Sequence, residues 1–300
     1  RIAKKNFDLI EIHNRPLILK KLYNNIDSKF IFYFHNDPLS MKGSKTIKER
    51  LEIINNVEKI IFVSEWVQKR FFIDLDDKLK TKTEVVYPSV NIKKKLVKKE
   101  KNIIFVGKLN PSKGYDVFST AIIKILNEFK NWKAYSIGDE DRRNIYINHK
   151  NHFELGFLSH QKVLNVYDKA EICVVPSKWE EPFGRTALES SSRGCATIIS
   201  GRGGLPETTD NALVLKDLNS NTLYKQIKIL IKNDKLRKKI QIKSFKNVKH
   251  IISKNTLLID QIRLESLPIK NFYFNKKKLK IINIYNQGQK LNHRLYNISL

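Results

Sequence analysis

The sequence predicts an α/β protein made of two Rossmann-like domains, each a parallel sheet with helices. Three observations predict it. Short apolar, β-rich runs alternate with helical stretches along the chain, the order that yields parallel sheet. One strand–loop–helix–strand–loop unit runs without a break from Val174 to Glu207. A lysine-rich, glycine-free segment at 93–102 divides the chain and reads as a hinge between domains.

Residues 1–92 are expected to form the first domain. Phe7 to Ile12 (FDLIEI) is a strand ending at His13-Asn14-Arg15-Pro16. A helix from Leu17 to Tyr23 leads to a strand from Phe30 to Phe34, which ends at His35-Asn36-Asp37-Pro38. Ser44 can cap a helix from Lys45 to Asn56. Lys59 to Val63 is strand, Glu65 to Phe72 helix, and Thr83 to Tyr87 strand.

The second domain is expected at 103–265. It opens with a buried strand, Ile103 to Val106, and then Gly107-Lys108-Leu109-Asn110-Pro111-Ser112-Lys113-Gly114. Glycine at a strand end lets backbone approach a ligand, and two lysines across a tight turn can face one anion. A helix from Tyr115 to Phe129 precedes a strand from Lys133 to Ile137 that ends at Gly138-Asp139. After a short strand, Phe153 to Phe157, Ser159 caps a helix from His160 to Ala170.

The central unit follows: strand Ile172 to Val175, a loop from Pro176 to Gly184, and a helix from Arg185 to Arg193 that Gly194 stops. Strand Ala196 to Ser200 and a glycine-rich turn, Gly201 to Gly204, complete it. Ala212 to Leu215 is the last strand. Asn219 or Ser220 caps the first of two helices, Asn221 to Asn233 and Lys235 to Ile252. The tail, 266–300, differs in pattern. Lys280 to Tyr285 is a fresh strand candidate followed by polar Asn286 to Lys290, and reads as the opening of a further module.

Composition narrows the function. At 41% hydrophobic residues the 300-residue chain has ample core material, and no apolar run approaches the length of a transmembrane helix. No signal peptide is visible, although the chain begins at Arg1 and not at Met. Cys173 and Cys195 lie in apolar strand settings and read as reduced core thiols of a cytoplasmic protein. The net charge of +27 fits compositional drift, an anionic membrane face or nucleic acid. No aromatic-interleaved basic motif appears, so nucleic acid is the least favoured of the three. A NAD-dependent enzyme needs G-x-G-x-x-G after a strand, which Gly107 to Gly114 does not match.

The chemistry concentrates in the central unit. A helix beginning at Arg185 would aim backbone N–H groups of Phe183 to Thr186 outward, a natural place for phosphate. Glu181 stands just before that helix and Glu189 within it. Carboxylates beside a phosphate suit a neutral, hydroxyl-rich group, because a carboxylate accepts hydrogen bonds from O–H well. A ligand with phosphates in the middle and sugars at both ends meets that requirement. That ligand is a nucleotide sugar.

Glu181-Pro-Phe-Gly-Arg-Thr-Ala-Leu-Glu189 resembles the E-x7-E signature of retaining GT-B glycosyltransferases (glycosyl transferases group 1). That group includes bacterial lipopolysaccharide, capsule and mannosyltransferase enzymes. Pro176-Ser177 and Gly203-Gly204-Leu-Pro-Glu207 match as well. The resemblance covers roughly residues 5–265 and is strongest from Ile103 to Glu207. It implies a GT-B fold: two Rossmann-like domains with parallel sheets facing a cleft, the N-terminal, acceptor-side one incomplete here. By the resemblance that domain should open with a strand and a Gly-rich loop, which nothing before Phe7 supplies. Either the chain is a fragment of a longer one or half of the acceptor domain has been lost; the fragment is the favoured expectation, because a truncated domain would expose sheet edge and apolar face. It also implies a nucleotide-sugar-binding C-terminal domain and a helix that crosses back to the first domain. The tail does not look helical, so that helix is not expected.

By this resemblance Glu181 contacts the donor sugar, Glu189 the ribose, and N–H groups around Phe183, Gly184, Arg185 and Thr186 the diphosphate. Gly107-Lys108-Leu and Lys113-Gly114 resemble the segment whose two cations neutralise the departing diphosphate. Lys108 replaces the usual Arg, keeping the charge without the bidentate fork. Gly138-Asp139 resembles a Gly-Asp-Gly turn without its second glycine. His13 resembles the histidine that faces the reacting sugar, and His35-Asn36-Asp37 lines the cleft. Glu207 is a weaker candidate.

The implied activity is transfer of a hexose to an acceptor hydroxyl with retention. It needs no metal or other cofactor, and surface polysaccharide or lipopolysaccharide assembly is its expected setting. The expected partners are a nucleotide sugar donor, a sugar or lipid-linked acceptor and an anionic membrane surface, the protein being cytoplasmic and peripheral on the inner face. A non-catalytic nucleotide-binding Rossmann-type protein and an inert fragment are the alternatives, with a basic nucleic-acid-binding protein the least favoured; no nucleic acid partner is expected.

Overall fold

A computed structural model describes residues 7–93, 95–141, 144–267, 279–284 and 293–296. The chain divides into two compact units, 1–88 with 254–300, and 89–253. The division falls before the expected 93–102 linker, and the second unit's opening strand already begins at Glu100.

The first unit carries strands β1 (Leu9–His13), β2 (Lys29–Phe34), β3 (Lys59–Phe62) and β4 (Thr83–Val85), mutually parallel in that order. Every residue of β1 is buried, as expected of a strand covered on both faces. Helices α1 (Pro16–Tyr23), α2 (Ile47–Asn55) and α3 (Glu65–Phe71) connect them. The cap of α2 is Thr46, not Ser44. Thr46 and Glu49 form a reciprocal capping box, whereas the buried Ser44 hydroxyl donates to the Pro38 carbonyl at 2.7 Å. On one face, Phe34 stacks on Phe62 at a ring separation of 5.6 Å, and Phe71 meets both rings at a tilt, 5.2 Å away. On the other, Leu9, Ile31, Tyr33 and Ile61 pack against Ile262 and Leu267.

Those last two residues mark a correction. The second of the long C-terminal helices does not stop at Ile252. It continues to Glu265, and from Lys254 it belongs to the first unit. No glycine or proline interrupts 234–267, and Leu258, Ile259 and Ile262 carry its apolar pattern onto the first sheet. The helix that the tail's appearance argued against is therefore supplied by residues before the tail.

A strand is present where 280–285 predicted one, at Leu279–Ile284 (β11), but it opens no separate sheet. It pairs parallel to β1, with Leu9 opposite Ile281 and Ile12 opposite Ile284. A further strand, His293–Tyr296 (β12), pairs antiparallel to it. The outer edge of β1 offers unpaired N–H and C=O groups, and β11 satisfies them. Asn286 to Lys290 lies outside the described residues.

The second unit holds a six-stranded parallel sheet ordered β10-β9-β8-β5-β6-β7. These strands are β5 (Glu100–Val106), β6 (Lys133–Ile137), β7 (His152–Glu154), β8 (Ala170–Val175), β9 (Ala196–Ser200) and β10 (Leu213–Leu215). Helices α4 (Tyr115–Glu128) and α7 (Ser220–Lys232) pack on one face around Phe105, Phe118, Val174 and Ile198. Helices α5 (His160–Lys169) and α6 (Arg185–Ser192) take the other, around Ile104, Cys173, Tyr167 and Ile199. The long helix α8 (Asp234–Glu265) follows α7. Its Arg237 donates to Glu171 on β8 at 3.0 Å and to the Leu230 carbonyl of α7 at 2.6 Å.

Candidate donor site

Successive strands β5, β6 and β7 run outward on one side, and β8, β9 and β10 on the other. The topological switch point therefore lies between β5 and β8, and ligands of such sheets bind outside the carboxyl ends of the strands there. The loops that leave these ends are those carrying Gly107 to Gly114 and Pro176 to Gly184. They are tied together: the backbone N–H groups of Lys178 and Trp179 both donate to the Ser112 carbonyl, at 2.9 and 3.0 Å.

After β5 the chain makes a short 3-10 turn, Pro111–Lys113, capped by Asn110, whose side chain accepts from the Lys113 N–H. Lys108 is exposed and has no side-chain partner among the described residues. Lys113 turns its ammonium to Glu181, 2.6 Å from Oε1. An ammonium has three donors, so two remain for a ligand. Gly138, at the end of β6, donates its N–H to the Gly156 carbonyl and lies against the Gly107 carbonyl. A Cβ there would sit 2.0 Å from that oxygen, so the two strand ends can lie this close only with glycine at 138.

Glu181 is held from several directions. The same Oε1 that meets Lys113 accepts from the Ser177 hydroxyl at 2.9 Å. Its backbone carbonyl accepts from the Gly204 N–H at 2.7 Å, so the glycine-rich turn after β9 braces the Glu181 loop. Phe183 is buried and already engaged, which makes it an anchor of the loop.

Gly184, whose φ of 102° lies in the left-handed region, occupies the N-cap position of α6, which has no side-chain cap. The backbone N–H groups of Gly184, Arg185 and Thr186 have no acceptor among the described residues. Three buried serines, 190–192, let the helix lie against the sheet, with Ser190 and Ser191 bonding Thr197 of β9.

Glu189 is on this helix and nearly buried. Its Oε1 meets His160 Nε2 at 3.1 Å and Arg185 Nη2 at 3.4 Å. Oε2 of Glu181 and Oε2 of Glu189 have no partner among the described residues. Each carboxylate is thus anchored through one oxygen and presents the other.

Two neighbouring thiols are chemically quiet. Burial raises the Cys173 thiol well above its ordinary value and the Cys195 thiol to about 11. Both stay protonated and un-nucleophilic at neutral pH. Among the described residues no group of three or more His, Cys, Asp or Glu could hold a metal ion.

His13 belongs to the other unit, at the carboxyl end of β1. Its Nδ1 is 2.8 Å from His35 Nε2, and its ring stacks on Tyr33 at 4.2 Å. Asn14, at a φ of 54°, accepts the His35 N–H at 2.7 Å and joins the two strand ends. Asparagine is among the few residues that tolerate that conformation.

Residues 89–247, more than half of the chain, match the family described as Glycosyl transferases group 1. The chain belongs to that family. Among its relatives is MJ1178 of Methanocaldococcus jannaschii, named an uncharacterized glycosyltransferase. The two are 31% identical over 251 residues, 79% of this chain and 69% of that protein. YtcC of Bacillus subtilis (strain 168), itself named only provisionally as a glycosyltransferase, is 26% identical over 261 residues, 74% of this chain. The chain spans 63% of the length of YtcC. In fold it is similar to Anabaena Alr3699/HepE, whose structure was solved in complex with UDP. The TM-score is 0.71 at 16% identity, covering 87% of this chain and 79% of that one. The two-sheet architecture is thus that of GT-B glycosyltransferases.

Within this group 1 glycosyltransferase chain, the structure brings Lys113 and Glu181 into direct contact. It sets the open N–H groups of α6 between Glu181 and Glu189 along the chain. Glu207 falls in the separate 3-10 turn Leu205–Thr208. Sequence reasoning missed His160, treated only as the first residue of a helix, and Ser177, noted only as flanking the motif. Ser177 could have been read from its place four residues before Glu181 in a tight loop. Nothing local in the sequence pairs His160 with a residue 29 positions away.

Proposed function

We propose that this chain transfers a hexose from a nucleoside diphosphate sugar to an acceptor hydroxyl with retention of anomeric configuration. The observation that carries the reading is the pair of half-anchored carboxylates, Glu181 and Glu189, on either side of the open N–H groups that begin α6. Membership of the glycosyl transferases group 1 family supports it, and so does the likeness of fold to a protein crystallised with UDP.

In the reaction the bond between the anomeric carbon and the diphosphate oxygen breaks, and its electron pair leaves with the diphosphate. The acceptor oxygen bonds the same face of that carbon, and its proton passes to the departing diphosphate. The largest catalytic contribution is stabilisation of the charge that develops on the leaving oxygens. Lys108, the remaining donors of Lys113 and the Gly184, Arg185 and Thr186 N–H groups would provide it, with no metal ion taking part. Glu181 would hold hydroxyls of the donor sugar and Glu189 those of the ribose. Surface polysaccharide or lipopolysaccharide assembly, with a lipid-linked acceptor at an anionic membrane face, is the setting that suits the charge of +27.

The test is a thermal-shift screen against UDP-, GDP- and ADP-sugars with and without EDTA, because a ligand of the native state raises Tm by mass action. One nucleotide sugar should stabilise the wild type. Glu189→Ala should lose the effect, and Lys108→Ala with Lys113→Ala should weaken it. If no nucleotide sugar shifts Tm while RNA does, the reading fails. If the shift requires a divalent cation, its metal independence fails.

A further inference from the structure

We propose that His160 is a positioning residue that sets the ribose preference of this site by holding Glu189 in one orientation. The inference rests on the reading of Glu189 as the ribose acceptor and adds a second element to it.

His160 is the first residue of α5, and Glu189 lies on α6. Both helices pack into the same core, through Val163, Leu164 and Tyr167 on one and Ala187 on the other. Helix packing thus fixes the backbone positions of the two residues, and from there the half-exposed His160 ring reaches the buried carboxylate, Nε2 to Oε1, at 3.1 Å. To donate to a carboxylate, Nε2 must carry the ring proton. The second donor, Arg185, is on the same helix as Glu189, at 3.4 Å, with its side chain 64% exposed. It is the weaker restraint.

The consequence follows from which oxygen is used. His160 and Arg185 both address Oε1, and Oε2 is left without a partner among the described residues. A carboxylate pinned at one oxygen cannot turn freely, so the other faces a fixed position. Two adjacent ribose hydroxyls are the donors that such an acceptor recognises. A site built to accept from a hydroxyl rejects the analogue that lacks it. Without His160 the carboxylate still carries its charge but loses its fixed aim, so affinity for the ribonucleotide falls further than affinity for the 2′-deoxy analogue, which has only one of the two hydroxyls to lose.

The experiment is calorimetric titration of the whole chain with UDP, GDP and ADP and with their 2′-deoxy counterparts. The wild type is expected to bind one ribonucleotide about tenfold tighter than its deoxy form. His160→Ala should reduce that ratio to about twofold by weakening the ribonucleotide more than its deoxy form, and His160→Gln, which keeps a donor, should retain most of it. His160 is 56% exposed, and circular dichroism verifies that the variants fold.

A His160→Ala protein that keeps the full preference, while Glu189→Ala abolishes it, overturns the inference and leaves the ribose role of Glu189 standing. Equal weakening of both nucleotides also overturns it. A preference that survives Glu189→Ala, or a wild type without preference, overturns the reading of Glu189 itself.

Discussion

Arg263→Met should unfold the first unit far more readily than any loss of surface charge would. Glu11, in the middle of β1, is fully buried. Its carboxylate takes Arg263 Nε on Oε1 at 2.8 Å and Nη2 on Oε2 at 3.0 Å, and the Tyr33 hydroxyl at 2.8 Å. Removing the guanidinium leaves a buried charge with one neutral donor, a change that costs about 3–5 kcal/mol. With a urea m-value of about 2 kcal/mol/M, the midpoint should fall by about 2 M.

Trp66 is the one tryptophan of the first unit, so in a Trp132→Phe/Trp179→Phe background its fluorescence follows that unit alone. Glu11→Leu combined with Arg263→Met should recover most of the loss, because no charge is then stranded. A loss below about 1 kcal/mol in the single variant would refute the buried pair. So would a double variant as unstable as the sum of the two single changes. Either result would leave the end of α8 held to the first sheet by the apolar contacts of Ile262 and Leu267 alone.

Two further outcomes are expected. Gly203→Ala should abolish donor-dependent thermal stabilisation while the chain still folds. A Cβ there meets the Glu181 carbonyl oxygen at 2.2 Å, at a φ of +61°, and the Glu181 loop must move; unchanged nucleotide-sugar binding would contradict this. Ellman's reagent should label neither Cys173 nor Cys195 in the native chain at pH 8 and both after unfolding, since burial holds both thiols above their ordinary pKa. Fast native labelling would disprove it.

Much of the second unit was legible because its signals are local. Lys133 to Ile137 and Ala196 to Ser200 are strands over the predicted residues, and Asn219 is one of the two caps offered for α7. Thr46 displaced Ser44 because a capping box satisfies two helix-end donors at once. That choice was readable in Thr46-x-x-Glu49 and overlooked. The extension of α8 was harder to read. Beyond Ile252 the β-branched Thr256 and polar Asn255 weaken the helical signal, and only contact with Leu9 and Ile31 gives Ile262 something to bury against.

The sequence by itself determined the alternation of strand and helix. It also determined the loop chemistry after β5 and β8, and the spacing that puts Glu181 before a helix and Glu189 inside it. These depend on propensity and on neighbours a few positions apart. Tertiary structure alone decided that β5 and β8 are adjacent at the switch point and that β11 joins β1. It also decided that His160 reaches Glu189, and that Arg263 meets Glu11 across 252 positions. Those pairings depend on which faces and edges can be buried together, and no local stretch of sequence encodes that choice.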